Sequence, residues 1–393
     1  MAPGSDEQDG GVYVHVPFCT RKCPYCSFYS VVYGKHLEES YLEGFSRDVA
    51  EKSALFQHAP FRPRTLYIGG GTPSVLSFKA IEYIIEVVVK NFFPLEPPME
   101  VSFECNPDTC SPALFRLLSG LGVNRLSIGA QDFTRKGLSV LGRRHTVEDI
   151  PRVLETAVGA GFKNISIDLM FGWPGQTMED LCESFQWISR IGKMISHISF
   201  YELTVEEGTE FFLRYGQGEG LSMPGCWSRP HARAQVQDDD MLYEFTIFIE
   251  EELEEMGFVQ YEISNFAVPG HECLHNIGYW ENRPYIGVGP GAVSYLPPRR
   301  WMTSFMGRQG EVEWEESLDH EAMFRETVVM GLRMLKGISM DGLKDRFGLD
   351  LRTYYGNILD EMIDDRFLGL AGNMLFLTRK GRMVANRILS MLV

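Results

Sequence analysis

Short runs of β-branched or alternating apolar residues recur along the first half of the chain at Val12 to Val16, Thr65 to Ile68, Val101 to Glu104, Arg125 to Ile128, Ile165 to Asp168 and Ile198 to Tyr201. Between them the apolar positions switch to helical spacing, at Glu38 to Ser53, Phe78 to Lys90, Pro112 to Leu121, Val147 to Ala160 and Met178 to Ile191, with Met241 to Met256 following the sixth strand. Local end signals agree with these bounds. Ser111 stands as an N-cap before a first-turn proline, Thr146 with Asp149 approximates a capping box, and Gly161 follows a helix as a stop. Strand alternating with helix predicts an α/β fold with a parallel sheet, helices outside, and a functional rim at the carboxyl ends of the strands.

After Tyr295 to Arg308, a strand-like stretch containing prolines, helical spacing resumes at Glu321 to Leu335, Met340 to Arg346 and Leu351 to Asp365. Two short strands, Leu368 to Ala371 and Met374 to Leu377, turn at Gly372 and Asn373 before a last helix from Lys380. Helices followed by a small hairpin predict a winged-helix-like α+β domain. The domain reading is a disordered stretch over 1–11, a main domain over 12–300 and the small domain over 301–393. The segment Arg214 to Asp240, rich in Gly, Pro, Gln and Asp, reads as a long loop.

Charge narrows the function. The 393 residues carry 37 basic and 53 acidic side chains, a net charge of −16, which argues against an electrostatic nucleic-acid binder. The winged-helix-like segment is near neutral, so a DNA-binding role for it has little electrostatic support. The most apolar stretch, Ile84 to Phe93, contains Glu86, Lys90 and Asn91 and is too short and too charged to cross a bilayer. No cationic apolar leader precedes Val12, and the eight cysteines do not space like a secreted disulfide framework, so a cytoplasmic, reducing location is expected.

Three of those cysteines are clustered. Cys19, Cys23 and Cys26 lie in YVHVPFCTRKCPYCSFYS, directly after the first strand. C-x3-C-x2-C supplies one thiolate too few for a closed tetrahedral metal site. An iron–sulfur cubane with three irons held by protein leaves the fourth open to a small molecule. The alternatives are zinc, which prefers four protein ligands in paired motifs, or unrelated thiols. Each later strand also ends in a polar or glycine-rich signal. Gly69-Gly70-Gly71-Thr72-Pro73 lets backbone amides approach a carboxylate, and Glu104 in E-C-N-P can accept from a ribose or an ammonium. Gln131 offers an amide, Arg143 in G-R-R-H-T a cation for a carboxylate, and Asp168 in SIDLMFGWPGQT an acceptor for a sugar hydroxyl.

Taken together, the cysteine run resembles the signature of the radical S-adenosylmethionine (SAM) superfamily. The ordered motifs Y-V-H-V-P-F-C-x3-C-P-Y-C, G-G-G-T-P, E-C-N-P, G-A-Q-D-F, G-R-R-H-T and D-L-M-F-G-W-P-G-Q-T resemble its oxygen-independent coproporphyrinogen oxidase-like group. That resemblance covers roughly Val12 to Tyr295, and the C-terminal segment is similar to the group's small C-terminal domain. It implies a partial (β/α)6 barrel. It also implies a [4Fe–4S] cluster on Cys19, Cys23 and Cys26, with SAM chelating the open iron through its amino and carboxylate groups. Tyr13, Tyr25, Gly70, Gly71, Thr72, Glu104, Gln131, Arg143 and Asp168 would line the SAM site or sites. The implied shared chemistry is one-electron cleavage of SAM to methionine and a 5′-deoxyadenosyl radical.

Within the group, porphyrinogen-oxidising members look like C-x3-C-x2-C-x-C and carry an N-terminal extension. Here Phe28 stands at the fourth cysteine position, and about a dozen residues precede the first strand. The run Cys273-Leu274-His275-Asn276-Ile277-Gly278-Tyr279-Trp280, followed by G-V-G-P-G-A, resembles the haem-binding motif of HemW-type haem chaperones. By that resemblance His275 is the candidate axial ligand and Tyr279 a further contact to haem, with G-V-G-P-G-A forming a backbone turn beside them. The implied role is carriage of haem to haem-containing respiratory proteins, with a flavodoxin or ferredoxin as electron donor and transient membrane association through those partners. The rival reading is a radical SAM enzyme of the same group, porphyrinogen-oxidising or a two-SAM methyltransferase or cyclopropanase. Without the resemblance, a histidine satisfied inside the core between two aromatics is the alternative for His275.

Overall fold

The computed structural model describes residues 8–56, 61–215, 238–306 and 311–393. Six parallel strands, β1 (Gln8–Val16), β2 (Phe61–Gly70), β3 (Glu100–Cys105), β4 (Arg125–Gln131), β5 (Asn164–Phe171) and β6 (His197–Glu202), pair in simple chain order. All six coincide with the sequence-predicted strands. The expected helices lie between them, with Met178–Ile191 matching residue for residue. Caps form as read: Ser111 accepts from Leu114 N ahead of Pro112, and Asp149 accepts from both the amide and the hydroxyl of Thr146.

The strands curl because their two faces differ. Val12, Val14, Leu66, Ile68, Val101, Phe103, Leu126, Ile128, Ile165, Ile167 and Ile198 alternate onto one face and join helix residues such as Ile81, Ile84, Phe115, Leu154 and Phe185 in a single large core. The intervening positions, Tyr67, Glu104, Arg125, Ser127, Gln131, Asp168, Ser199 and Tyr201 among them, line the concave face. A period of two therefore directs apolar side chains to the helices and polar ones to the barrel interior.

The sheet does not close. Beyond β6 it continues antiparallel through β8 (Asn265–Ala267) to β7 (Val259–Glu262). Beyond β1 it adds β9 (Tyr285–Val288), parallel to β1, then β10 (Val293–Leu296), β11 (Arg299–Thr303) and β12 (Val312–Ser317). Two sequence boundaries shift as a result. β1 starts at Gln8, and Gly10 and Gly11 are buried, so residues 8–11 belong to the sheet. A boundary after 300 would cut β11, which pairs with β12 in the main sheet, so the small domain starts beyond Ser317.

That domain has its own core, with Phe324, Val328, Leu343, Leu359, Leu368, Leu375 and Ile388 under a three-stranded sheet of Ile338–Ser339, Met374–Leu377 and Leu368–Ala371. The expected single helix from Leu351 to Asp365 breaks at Gly356, which sits at φ 53°. The last helix is likewise two short ones, Arg379–Met383 and Ala385–Ser390. Most of the 214–240 loop and residues 1–7 lie outside the described residues. Among the described residues no helix is long and apolar enough to cross a membrane.

The glycine run after β9 is held by a buried ion pair. Lys52, 5 % exposed, bonds to Asp48 and donates to Gly287 O and Thr303 Oγ1, while Asp48 accepts from Gly289 N. Lys52→Ala leaves a buried carboxylate without its cation and is expected to cost about 3 kcal/mol in urea unfolding. A Lys52→Met, Asp48→Leu double variant should recover part of that loss, and an unchanged midpoint for Lys52→Ala would show the pair to be energetically idle.

Candidate functional site: a polar cavity under a three-cysteine loop

At the carboxyl ends of the strands the chain leaves β1 through Phe18–Cys19, which pairs with Val31–Val32 and closes residues 20–30 into a loop. Gly71 N donates to Val16 O at 2.8 Å and Thr72 N to Phe18 O at 2.6 Å, so the glycine strand is bonded to the root of this loop. Only glycine fits there, because a Cβ at Gly71 would stand 2.5 Å from Phe18 O and 3.0 Å from Cys19 Sγ. Beneath the loop opens a cavity of about 510 Å³ lined by Cys19, Cys23 and Cys26 and by side chains from β2 to β6.

A polar arc spans this cavity. Thr72 Oγ1 donates to Cys19 Sγ (3.6 Å) and accepts from Asn106 Nδ2 (2.8 Å). Asn106 Oδ1 accepts from Arg143 Nη2 (2.6 Å), which also reaches Gly129 O (3.0 Å), and Arg143 Nη1 donates to Cys23 Sγ (3.5 Å). Two loop cysteines are thereby tied to β2, β3 and the segment after β4. Asn106 was not assigned a role in the sequence reading, although it sits in the same E-C-N-P run as Glu104. The signal missed is that one amide side chain can both donate and accept, linking two strand ends.

Glu104 accepts from Tyr67 OH (2.7 Å) and Gly70 N (3.1 Å), with Gly70 at φ 111°. Burial pushes its carboxyl up to about 7 against those two donors. Asp168 takes Ser127 Oγ on both oxygens at 3.0 and 3.1 Å, and burial raises it as well. Gln131 lines the cavity in the left-handed region, φ 68°. Tyr25 lines it from the cysteine loop, its ring edge-on to Phe211.

So Tyr25, Gly70, Gly71, Thr72, Glu104, Gln131, Arg143 and Asp168 converge with the cysteines on one cavity. Tyr13 is not among the lining residues: its hydroxyl bonds His15 Nδ1 at 2.9 Å, and Tyr67 occupies the corresponding wall.

His275 and Tyr279 lie at the opposite end. The helix Leu274–Trp280 plugs the amino-terminal mouth of the half-barrel, with Leu274 N and His275 N donating to Glu100 at the start of β3 (2.9 and 3.1 Å). His275 is 3 % exposed and stacks on Tyr67; Nδ1 is 2.8 Å from Thr65 Oγ1 and Nε2 is 2.9 Å from Tyr279 OH. Burial drives its pKa down to about 3, so the imidazole is neutral. As folded, neither ring nitrogen is free for a metal. The adjoining Asn276 faces the large cavity, whereas His275 and Tyr279 face a separate cavity of about 180 Å³ that also involves Gly11, Thr65 and Tyr285. The G-V-G-P-G turn is at the rim: a Cβ at Gly289 would stand 2.5 Å from His15 O and one at Gly291 2.9 Å from the Tyr29 ring, so it supports the cysteine loop instead of flanking His275.

Among the described residues no three His, Cys, Asp or Glu side chains converge on a point that one metal ion could occupy. A cubane places each thiolate on a different iron, so three thiols spread around one loop suit a cluster better than a single zinc. Arg143 Nε, buried without a partner, suits an anionic ligand group beside the cluster, whereas the amides of Gly70 and Gly71, expected to face a carboxylate, are taken by Glu104 and Val16 O.

An open parallel half-barrel with a three-cysteine loop at its rim defines a radical SAM protein. The Radical SAM superfamily model matches residues 13–188, and the HemN C-terminal domain model matches residues 318–384. The solved structure of Escherichia coli coproporphyrinogen III oxidase (HemN), a radical SAM enzyme, covers 98 % of this chain and 90 % of its own with a TM-score of 0.80. Its identity is 20 %, so it speaks to the fold. The heme chaperone HemW of Lactococcus lactis subsp. lactis is 31 % identical over 97 % of both chains. The mitochondrial radical S-adenosyl methionine domain-containing protein 1 of Danio rerio is 32 % identical over 84 % of this chain and 74 % of its own. The chain belongs to the HemW family, within the radical SAM superfamily. That membership implies a [4Fe–4S] cluster and SAM.

Because Glu104 binds its proton more tightly folded (about 7) than unfolded, the ligand-free protein loses stability as pH rises from about 4.5 through 7. Glu104→Gln keeps an acceptor for Tyr67 and Gly70 without the charge. It is expected to be more stable than the parent at pH 8 and equal to it near pH 4.5 in denaturant titrations; equal stability at both would refute the assignment.

Proposed function

We propose that this protein is a radical SAM [4Fe–4S] haem chaperone, which binds haem and delivers it to haem-dependent respiratory proteins. The observation that carries the reading is full-length similarity to proteins named as heme chaperones, on a chain that retains both the three-cysteine loop and H-N-x-x-Y-W. Phe28 at the position of the fourth cysteine favours this over porphyrinogen oxidation. The seven described cysteines are free thiols, consistent with work in a reducing, cytoplasmic setting, and the electron donor would be a flavodoxin or ferredoxin.

In this reading Cys19, Cys23 and Cys26 hold the cluster, which when bound supplies an electron to SAM. Arg143 takes the SAM carboxylate, Glu104 its ammonium, and Asp168 and Gln131 its nucleoside; Gly70 and Gly71 leave the backbone bare of side chains beside it, Tyr25 packs against it, and Tyr13 supports that wall through His15. These assignments rest on side chains converging on one cavity and on donor and acceptor chemistry. His275 and Tyr279 are the haem pair. The imidazole is already in the neutral form that binds iron, but ligation must replace its bond to Thr65 or to Tyr279. Since about 180 Å³ is too small to enclose a macrocycle, haem would lie across the mouth of that cavity.

Haem titration of the anaerobically reconstituted protein, followed in the Soret band, should show one equivalent bound, and His275→Ala should weaken it about ten-fold or more. Thr65→Val should leave or strengthen the affinity if Nδ1 is the ligating nitrogen and weaken it if Nε2 is, because the bond to the other nitrogen then orients the ring. No haem uptake by the parent protein would remove the chaperone reading; equal uptake by parent and His275→Ala would remove the ligand.

A further inference from the structure

At the floor of the large cavity lies a cation that the readings above leave unused. Arg125 begins β4, is 1 % exposed, and lines the cavity together with Tyr67, Ser127, Asp168 and Asn276. Its Nε and Nη1 are buried with no hydrogen-bond partner among the described residues. A buried guanidinium with an unused fork is costly, because the desolvation penalty is not offset by bonds.

The carboxylates around it are already satisfied by others. Glu100 takes the amides of Leu274 and His275, Glu104 takes Tyr67 OH and Gly70 N, and Asp168 takes Ser127 on both oxygens. They balance the charge of Arg125 at longer range without filling its hydrogen-bonding fork. Asn276, on the plugging helix, adds an amide to the same floor.

We infer that Arg125 is the anchor of a second anion subsite, which receives a carboxylate either from a ligand seated in the barrel or from one lying across the mouth beyond the Leu274–Trp280 helix and reaching in past Asn276. Nε and Nη1 stand on different edges of the guanidinium, so a singly charged carboxylate takes one of them in a charge-assisted bond, with Nη2 as the second donor of either edge. Nearby Glu104 and Asp168 disfavour a more highly charged phosphate. This carboxylate is distinct from one chelating the cluster. Arg125 and Gln131 are at opposite ends of β4, roughly 20 Å apart at about 3.3 Å per residue, and the cysteines stand at the Gln131 end. Two ligands of this family's chemistry carry such a group: a porphyrin through a propionate, and a second sulfonium nucleoside through its amino-acid end.

The test uses the reconstituted holoprotein, with Arg125→Met and the charge-retaining Arg125→Lys, both checked for parental near-ultraviolet dichroism. Haem and haem dimethyl ester are titrated optically, and SAM stoichiometry is measured by equilibrium dialysis. If a propionate is the occupant, both variants weaken haem about ten-fold or more and leave the diester unchanged. If a second sulfonium is the occupant, the parent holds two equivalents of SAM and the variants one. Parental haem affinity and parental SAM stoichiometry in a folded Arg125→Lys variant would overturn the subsite. The haem arm rests on the chaperone reading, and the SAM arm does not. A parent that binds no haem would end that reading while leaving Arg125 to be judged by dialysis.

Discussion

The bonding of β1 to β2 continues past both strands, and the site depends on that continuation. Residue pairing ends at Val16 and Gly70, yet Gly71 N and Thr72 N still reach Val16 O and Phe18 O. The loop that carries Cys19, Cys23 and Cys26 is therefore rooted in the sheet before any cofactor is considered. Glycine is required because the two backbones approach within a distance that a Cβ would violate. From that root the Thr72, Asn106 and Arg143 side chains carry hydrogen bonds across three further segments and return to Cys23. The cavity is thus preorganised, and ligand binding need not also order its walls.

A second constraint is the unequal character of the sheet's two faces. The helix-facing residues are continuous apolar core, and the concave residues are hydroxyls, carboxylates, an amide and a buried arginine. Such a polar interior must satisfy itself, and most of it does. Ser127 with Asp168, Tyr67 with Glu104, and Ser166 with His197 and then Tyr261 form bonds between strands. Of the ten buried side-chain atoms without a partner among the described residues, three belong to arginines that line the cavity, Arg143 Nε and Arg125 Nε and Nη1, and those are the ones a bound ligand could satisfy.

The alternation and the caps were legible because they are local. All six barrel strands, the helices between them and the closing hairpin of Leu368–Ala371 and Met374–Leu377 follow from spacing within short windows. Motifs at strand ends were legible for the same reason, since Gly71 directly follows a strand, Gln131 ends one and Glu104 stands next to the end of another, whereas Asp168, expected to close its strand, lies inside it because pairing with β6 carries that strand on to Phe171. What the chain alone did not disclose is which side chains meet across strands. Asn106 and Arg143 are bonded although 37 residues apart, and Tyr13 alternates onto the inner face yet bonds within its own strand to His15. The position of His275 was hidden too. Its motif reads as a candidate ligand with a glycine turn beside it, whereas Glu100 accepts the helix's first amides and fixes it as a plug at the far mouth, remote from that turn. Tyr285–Val288 was missed as a strand because only pairing with β1, 274 positions away, makes four residues a strand.

The central claim is that the three-cysteine loop presents an incompletely ligated iron–sulfur cluster to the cavity. Electron paramagnetic resonance of the anaerobically reconstituted, dithionite-reduced protein tests it directly, with spectra taken before and after SAM is added. A signal typical of a reduced [4Fe–4S] cluster that shifts on SAM addition, and that is lost in Cys23→Ala, is the result this account requires. A cluster signal indifferent to SAM, or a protein that holds zinc in place of iron at those thiols, would contradict it.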